Sequence, residues 1–303
     1  MLHEWGVRGE DGMLLPLVDI GANLVKLKGS GALAHQLRRC EMTGVSRVLV
    51  TGTSVDASRR ALELAATAGA AGDGGAAGDG VRLFCTAGVH PHEAKGCNAS
   101  TLERLRALLA SPACVAVGKC GLDYDRMFSR REEQLLWFER QAALAAELGM
   151  PLFLHERERG ADKGPPLGSH DDLLRVLQRA GVAPHRCCVH CFTGSEEQLR
   201  DYAARGYYVG LTGYVAMRGR GAALRAALRA GALPLSQLML ETDSPFMKPD
   251  QEYLPRVPSL RRGQCEPCVV PAVCNAVAEC YGVPPAVVAR ATTANAEAFF
   301  GLT

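Results

Sequence analysis

The residues of this chain that could do chemistry stand at the ends of short apolar runs. Histidine closes the runs "LFLH" and "CCVH", and an aspartate closes "LMLETD". In a parallel β/α barrel the carboxyl ends of the strands share one rim, where we expect such side chains to meet. Imidazole and carboxylate bind Zn, Mn or Mg ions, and a bound ion turns water into a nucleophile near neutral pH. The residues at such positions are His90, His92, Lys119, Asp123, His155, His190, Glu241 and Asp243.

Three of these residues form the best candidate for a metal site. His155, His190 and Asp243 follow three different strands and could give one ion two imidazoles and a carboxylate, with positions left for water. The alternative for any one of them is a hydrogen-bonded structural residue at a strand end. His90 and His92, on either side of Pro91, have the alternative of only shaping that turn.

The elements that must position these residues read as repeated β–α units. Eight apolar runs alternate with stretches such as "DDLLRVLQRAG", which repeat apolar residues at helical spacing and stop near glycine. This pattern predicts a closed (β/α)₈ TIM barrel, and no nucleotide-binding glycine fingerprint supports an open sheet. The predicted strands are "LPLVDIG", "SRVLVTGT", "VRLFCTAGV", "CVAVGKC", "PLFLHE", "RCCVHCF", "YYVGLTG" and "LSQLMLETD".

We predict one domain, 14–303, preceded by a disordered tail, 1–13. The low-complexity segment 68–80, "AGAAGDGGAAGDG", is predicted to be a loop inserted before the third strand. A proline-containing loop, 246–264, is expected after the eighth strand. Two helical stretches are predicted to end the chain, 267–281 and 285–299.

Composition limits the classes of partner. The 303 residues are 48% hydrophobic and 22% charged, with a net charge of +2, so contact with nucleic acid would need local arginine clusters. The twelve cysteines lack the regular spacing of a disulfide framework, and the Cys265–Cys268 pair has no partner pair at zinc-ribbon distance. With no signal peptide or long apolar run, we predict a cytoplasmic protein, possible also in the nucleus, without membrane contact or an obligate protein partner.

Blocks of sequence along the chain resemble the TatD family of metal-dependent deoxyribonucleases. They occur in the family's order and cover the chain from Leu17 onward, apart from the inserted segment 68–80 and a second insertion, the loop 159–169 after the fifth strand. The blocks are "VDIGANL", "TAGVHPH", "GKCGLDYDR", "LFLHERE", "VHCFTGS", "GYYVGLTGY", "LMLETDSPF" and "SLRRGQCEP".

The resemblance implies an amidohydrolase-like TIM barrel that hydrolyses phosphodiester bonds in DNA with a divalent metal cation, commonly as a 3′–5′ exonuclease. It places His155, His190 and Asp243 on metal ligands and His90 on an active-site histidine near the scissile phosphate. Asp123 falls on an aspartate that orients a ligand or water, with a loop cap as the alternative. The ion itself, Mg, Mn or Zn, is left open.

The chain departs from the family's pattern at two places. Many members have a His-x-His pair on the first strand, where this chain has Gly21 and Asn23; one subgroup shares that loss. The family has a metal-bridging glutamate where this chain has Lys119, and an ammonium cannot ligate a cation. Lys119 is therefore expected to alter the site as a carbamate that bridges metal, as an ammonium paired with Asp243 or Asp123, or as a group turned to solvent or substrate phosphate.

Four arginines on the catalytic side are candidates for gripping a nucleic-acid backbone. They are Arg218, Arg220, Arg261 and Arg262. The predicted function is metal-dependent hydrolysis of DNA, with His90, Lys119 and Asp123 as catalytic residues. Two alternatives stand beside it: a TatD-like binding protein that has lost turnover through Lys119, and a hydrolase of another small ester or amide.

Overall fold

Eight parallel strands form one sheet whose order follows the chain from β1 to β8. The computed structural model describes residues 2–29, 31–70, 80–160 and 163–302. The two ends of the sheet meet, because the amide of Asp243 donates to the carbonyl of Gly21 at 2.7 Å and that of Asn23 to Ser244 at 2.8 Å. The strands are β1 (Leu17–Ala22), β2 (Val45–Val50), β3 (Arg82–Ala87), β4 (Cys114–Asp123), β5 (Leu152–Arg157), β6 (Cys187–Val189), β7 (Tyr208–Leu211) and β8 (Leu238–Leu240).

Helices follow the strands and cover the outside of the barrel. Local sequence sets their ends: Ser195 caps α6 by accepting from the amide of Gln198, and Gly206 ends it in the left-handed region that glycine favours. The helices are α1 (Ala32–Thr43), α2 (Val55–Ala70), α3 (Thr101–Leu109), α4 (Arg131–Leu148), α5 (Ser169–Arg179), α6 (Glu196–Arg205), α7 (Ala222–Arg229), α8 (Pro258–Arg262), α9 (Val270–Tyr281) and α10 (Pro285–Phe300).

The interior of the barrel is filled by alternate residues of the strands, as the two-residue period of a strand requires. Val18, Ile20, Leu49 and Phe153 belong to this inner cluster, and all are buried. Phe299 of α10 packs on Tyr208 at the amino end of β7, with ring centroids 5.0 Å apart. The C-terminal helix therefore closes one end of the barrel and leaves the carboxyl ends of the strands open.

This architecture confirms the predicted (β/α)₈ barrel, and every strand overlaps its predicted run. β4 continues beyond the predicted end at Cys120 and reaches Asp123. The predicted loop 246–264 contains a helical turn, Gln251–Tyr253, and the short helix α8. Both terminal helical stretches are present as α9 and α10.

The N-terminal segment differs from the predicted disordered tail. Leu2 and Val7 are buried in the main core, and the carbonyl of Val7 accepts from the amide of Leu15 at 2.8 Å. Apolar side chains in this stretch pack against the core and α1, whereas a disordered tail would leave them in solvent. The predicted loop 68–80 begins inside α2, which runs to Ala70, and its residues 71–79 lie outside the described part of the chain.

Among the described residues, no single helix is long and apolar enough to cross a membrane. The segments Pro267–Tyr281 and Pro285–Phe300 meet that criterion only as a pair, bent by 112°.

Candidate active site

A cavity of about 430 Å³ opens at the carboxyl ends of the strands. It brings together most of the residues that the sequence singled out, which lie at or after the carboxyl ends of β3 to β8. These are His90, His92, Lys119, Asp123, His155, His190, Asp243 and Arg220. The predicted rim is thus a real cavity, and its chemistry depends on which groups are already paired within it.

The close approach of β4 and β5 places the first of these groups. Gly121 lies opposite His155 in the register, and a Cβ on Gly121 would stand 2.0 Å from the carbonyl oxygen of His155. Only glycine permits this contact. Lys119 and Asp123 lie two residues away on either side of Gly121, so the alternation of the strand turns both toward the cavity.

Asp123 holds two histidines in place. Its Oδ2 is 2.8 Å from Nε2 of His92 and 3.2 Å from Nε2 of His155, while Oδ1 accepts from the amide of Arg126 at 2.8 Å. Burial disfavours the charged carboxylate, but the bonds from His155 and His92 outweigh it and hold the pKa of Asp123 well below its usual range. Because the carboxylate accepts, each ring donates from Nε2, and the neutral ring of His155 keeps its lone pair on Nδ1.

His90 lies between these rings, with its centroid 4.3 Å from that of His92 and 4.4 Å from that of His155. Its Nδ1 accepts from the amide of His92 at 3.2 Å, so its neutral form carries the proton on Nε2. Burial lowers the pKa of His90 well below its usual range. His90 is therefore a neutral donor in the cavity.

His190 is held by Glu241, a rim residue to which the sequence analysis assigned no role of its own. Its Nδ1 is 3.3 Å from Oε2 of Glu241, which is fully buried and also accepts from the amide of Cys191. A Cβ on Gly21 would lie 2.3 Å from Oε2 of Glu241, so glycine at position 21 makes the space that this carboxylate fills. Burial, and then the charge of Asp243, raises the pKa of Glu241 well above its usual range.

The other nitrogen of His190 has no hydrogen-bond partner among the described residues, although it is buried. The ring stacks on Phe153 with centroids 4.8 Å apart, which fixes its plane. A cation bound at Nε2 requires the ring proton on Nδ1, where Glu241 would accept it. Burial lowers the pKa of His190 well below its usual range, which keeps the ring in the neutral form that a ligand needs.

The opposite side of the cavity already contains a cation from the chain itself. Nζ of Lys119 is 2.5 Å from Oδ1 of Asp243, and the same oxygen accepts from Nδ2 of Asn23 at 2.9 Å. Only 4% of the Lys119 side chain and 13% of that of Asp243 are exposed. Of the three alternatives for Lys119, this contact favours the one in which the side chain pairs with Asp243 as an ammonium. We call Asn23, Lys119 and Asp243 the ammonium half, and His92, Asp123, His155 and His190 the histidine half.

These contacts decide what a metal could use. No group of three or more His, Cys, Asp or Glu side chains in the described part of the chain is arranged to hold an ion. In the ammonium half the donors do not fit a metal, because Lys119 sits on the carboxylate and would repel a divalent ion. The histidine half fits one ion, since the buried Nε2 of His190 is unpaired and His155 has a lone pair on Nδ1.

The predicted arginines separate into one at the cavity and three away from it. Arg220 lines the cavity, with its guanidinium 5.4 Å from the ring centroid of Tyr214. Arg218 pairs with Glu252 at 2.5 Å, and Arg261 donates to Gln251 at 2.9 Å. Arg218, Arg261 and Arg262 do not line the cavity. Three further cations that line it were missed, because isolated basic residues in a sequence carry no signal: Lys26, Arg126 and Arg157.

Comparisons with known proteins agree on one family. The sequence model described as TatD related DNase matches residues 18–301. The chain is 36% identical to the "3'-5' ssDNA/RNA exonuclease TatD" of Erwinia amylovora, over 94% of this chain and all of that protein. It is 37% identical to the protein of the same name from Cronobacter sakazakii, over 94% of this chain and 97% of that one.

Solved structures show the same likeness in three dimensions. The TatD homologue YJJV of Escherichia coli K12 superposes with a TM-score of 0.78 and 25% identity, over 95% of this chain and 98% of that one. A TatD family hydrolase from Entamoeba histolytica gives a TM-score of 0.80 over 96% of this chain and all of that one, and at 22% identity it supports the fold alone.

Proposed function

We propose that this chain, which belongs to the family of TatD-related DNases, hydrolyses phosphodiester bonds at the 3′ end of DNA. One observation carries the proposal: two histidines with available lone pairs and a buried ammonium face the same open cavity. The relatives named as exonucleases of single-stranded DNA and RNA support this bond and this polarity. RNA is a second substrate to examine, because the same names include it.

Metal dependence is typical of this family. We infer that one divalent cation binds this chain, at His155 and His190, and that the ammonium half takes none. When bound, the ion would lower the pKa of a water molecule and supply hydroxide near neutral pH. Glu241 would hold the ring of His190 through Nδ1, as outer carboxylates hold ligating histidines in other metal sites.

The residues of the chain supply the rest of the chemistry. Lys119 presents a fixed positive charge where negative charge builds on the phosphoryl oxygens, and Asp243 with Asn23 prevents it from moving. His90 can donate from Nε2 to the phosphate or to the leaving oxygen. Asp123 orients His92 and His155 and is not itself available as a base, because both rings occupy its Oδ2.

The test uses a single-stranded oligonucleotide labelled at its 5′ end. We expect stepwise shortening from the 3′ end, loss of cleavage in a chelator, and recovery on addition of Mg²⁺, Mn²⁺ or Zn²⁺, with one ion per chain by elemental analysis. Cleavage that persists in the chelator, or shortening from the 5′ end, contradicts the proposal.

The pairing of Lys119 with Asp243 favours one alternative, a binding protein without turnover. In that case the protein should bind the single-stranded oligonucleotide without shortening it, whichever ion is added. Hydrolysis of small esters or amides without hydrolysis of DNA would instead place the chemistry on another bond.

We infer a cytoplasmic location, with the nucleus as the alternative. The twelve cysteines support a reducing compartment, since all are free and ten are buried. Fractionation of cells that produce the tagged chain tests this inference.

A further inference from the structure

Two phenylalanines at the rim of the cavity have no role in the chemistry proposed above. Phe128 is 56% exposed and Phe246 is 50% exposed. Every other phenylalanine, tyrosine and tryptophan among the described residues is buried or half-buried. Phe246 lines the cavity. Phe128 packs edge-on against His92, which lines it too, with centroids 4.8 Å apart.

The two rings stand on opposite sides of the opening. Phe128 follows β4 and Phe246 follows β8, and these strands are four positions apart in a closed ring of eight. The histidine and ammonium halves lie between them. Two separated rings do not form the single contiguous apolar patch that a protein or membrane partner usually covers.

Both rings are held by ordered backbone. The hydroxyl of Ser129 donates to the carbonyl of His92 at 3.0 Å, next to Phe128, and the amide of Phe246 donates to the carbonyl of Asp243 at 3.0 Å. Each ring also adjoins a residue in the left-handed region, Met127 with φ 50° and Met247 with φ 48°. Such conformations are unfavourable for methionine and concentrate at functional sites.

The charges around the rings indicate what they bind. Arg126 lines the cavity beside Phe128, and the ammonium of Lys26 lies 4.6 Å from the ring centroid of Phe246. Aromatic rings interleaved with cations bind single-stranded nucleic acid, because bases stack on the rings while phosphates meet the cations.

Resting on the proposed function, we propose that Phe128 and Phe246 are stacking platforms for the two bases that flank the scissile phosphodiester. One ring receives the base of the nucleotide to be released, and the other receives a base of the remaining strand. Both bases must be unpaired to reach rings on opposite sides of the cavity. The platforms therefore select single strands and frayed ends over blunt duplexes.

The experiment measures binding without turnover. Fluorescence anisotropy in a chelator compares a single strand with normal bases against the same strand with abasic residues at its three 3′-terminal positions. The variants are Phe128→Leu and Phe246→Leu, which keep an apolar side chain but lose the flat ring, and Phe128→Tyr and Phe246→Tyr, which keep it. Leu136→Ala is the matched control, because Leu136 is 44% exposed on α4 and does not line the cavity.

We expect each leucine variant to weaken binding of the normal strand by about 5-fold to 100-fold, the range for one lost base stack. Binding of the abasic strand should stay unchanged, the tyrosine variants should match wild type, and Leu136→Ala should alter neither. Equal binding of the two strands by wild type, no measurable binding, or equal losses on both strands in the leucine variants would overturn the platforms.

Hydrolysis of the same strands separates this inference from the proposed function. Cleavage by wild type that the leucine variants leave unchanged refutes the platforms and retains the nuclease. Base-dependent binding that the leucine variants abolish, with no cleavage by wild type, retains the platforms and refutes the nuclease.

Discussion

The two halves of the cavity differ in how their polar groups are paired. In the histidine half, burial lowers the pKa values of His155 and His190 and keeps both rings neutral, and the buried Nε2 of His190 has no partner in the described part of the chain. In the ammonium half, Oδ1 of Asp243 is filled by the ammonium of Lys119 and the amide of Asn23. One half is therefore prepared for an added cation, whereas the other already has one.

In the ammonium half, Lys119 brings to Asp243 the positive charge that a bound ion would otherwise supply. The carboxylate of Asp243 is only 13% exposed and is stabilised by a cation close to it, and the buried Lys119 of β4 provides that cation from within the chain. The cost is chemical: an ammonium attracts phosphate but cannot activate water as a metal can. Each prediction below changes one half and leaves the other intact.

The largest effect is expected from removal of both imidazoles of the histidine half. His155→Ala combined with His190→Ala should abolish bound metal and lower hydrolysis on the order of 10⁴-fold, taking about 100-fold per histidine from the upper range for outer partners of metal sites. Elemental analysis and single-strand cleavage measure this. His185→Ala, on an exposed histidine away from the cavity, is the control. A double variant that retains its ion would show that the metal binds elsewhere.

Beneath the ammonium half, Asp19 predicts a dependence of stability on pH. Burial raises its pKa from 3.8 to about 7, against the opposing bonds from Thr242 and Gly21. Between pH 4 and 7 the native chain thus holds a proton that the unfolded chain has lost, so stability should fall as pH rises through this window. The contribution is about 4 kcal/mol, at about 1.4 kcal/mol for each pH unit.

Asp19→Asn removes this titration and keeps the size of the side chain. Urea denaturation at pH 5 and pH 8 should show a smaller loss of unfolding free energy in the variant than in wild type. Asp56→Asn, on a side chain that is 69% exposed, should leave the pH dependence unaltered. Parallel pH profiles for wild type and Asp19→Asn would mean that the native carboxylate is already charged at pH 5.

Breaking the ammonium pair should destabilise the fold. Lys119→Met leaves Asp243 buried without its cation, which costs about 3 kcal/mol at the low end for such pairs, because Asn23 still donates to the carboxylate. Adding Asp243→Asn should restore most of that loss. Lys163→Met is the control, since Lys163 is 49% exposed in its pair with Asp125 and should cost less than about 1 kcal/mol. A Lys119→Met variant as stable as wild type would mean that the pair does not form in solution.

The sequence predicted the barrel because its strands and helices are marked locally, by apolar runs and helical periods. It also predicted which side chains share the rim, since the ends of parallel strands lie together. It could not predict which rim groups pair with one another. The choice of Asp243 over Asp123 by Lys119 depends on β4 lying close to β5, which leaves Asp123 to His92 and His155.

The contact of Glu241 with His190 and the burial of the N-terminal segment were not predicted, for related reasons. The role of Glu241 depends on space made by Gly21, which lies 220 positions earlier in the chain, and no local pattern records that contact. Leu2 and Val7 are buried because they pack on an apolar surface at the end of α1. The N-terminal stretch is short and has no periodic pattern from which this packing could be predicted.

A smaller effect is expected when a cation at the rim is removed. Arg220→Ala should weaken single-strand binding by about 3-fold to 10-fold at low salt and reduce the slope of log affinity against log salt by about 0.7, the value for one phosphate contact. Arg218→Ala should change both by less than a factor of about 2, because its guanidinium is paired with Glu252 outside the cavity. Equal effects of the two variants would show that Arg218 also contacts nucleic acid, as the sequence predicted.

The smallest expected effect is a change in the number of bound metal ions per chain. This number tests most directly whether the ammonium half excludes an ion that the histidine half accepts. Lys119→Glu removes the ammonium from Asp243 and adds the carboxylate that the resemblance to the family implies at this position. With the repulsion gone, two carboxylates face the cavity beside the histidine half, and we expect bound metal to rise from one ion per chain to two. Lys119→Gln is the matched control, since it removes the positive charge without adding a negative one and should keep one ion. Added bicarbonate should leave the metal content of wild type unchanged, because an ammonium paired with Asp243 has no lone pair to react with carbon dioxide. A rise in wild-type metal with bicarbonate would show instead that Lys119 reacts to a carbamate and bridges ions, and an unchanged count in every variant would show that position 119 lies outside the metal site.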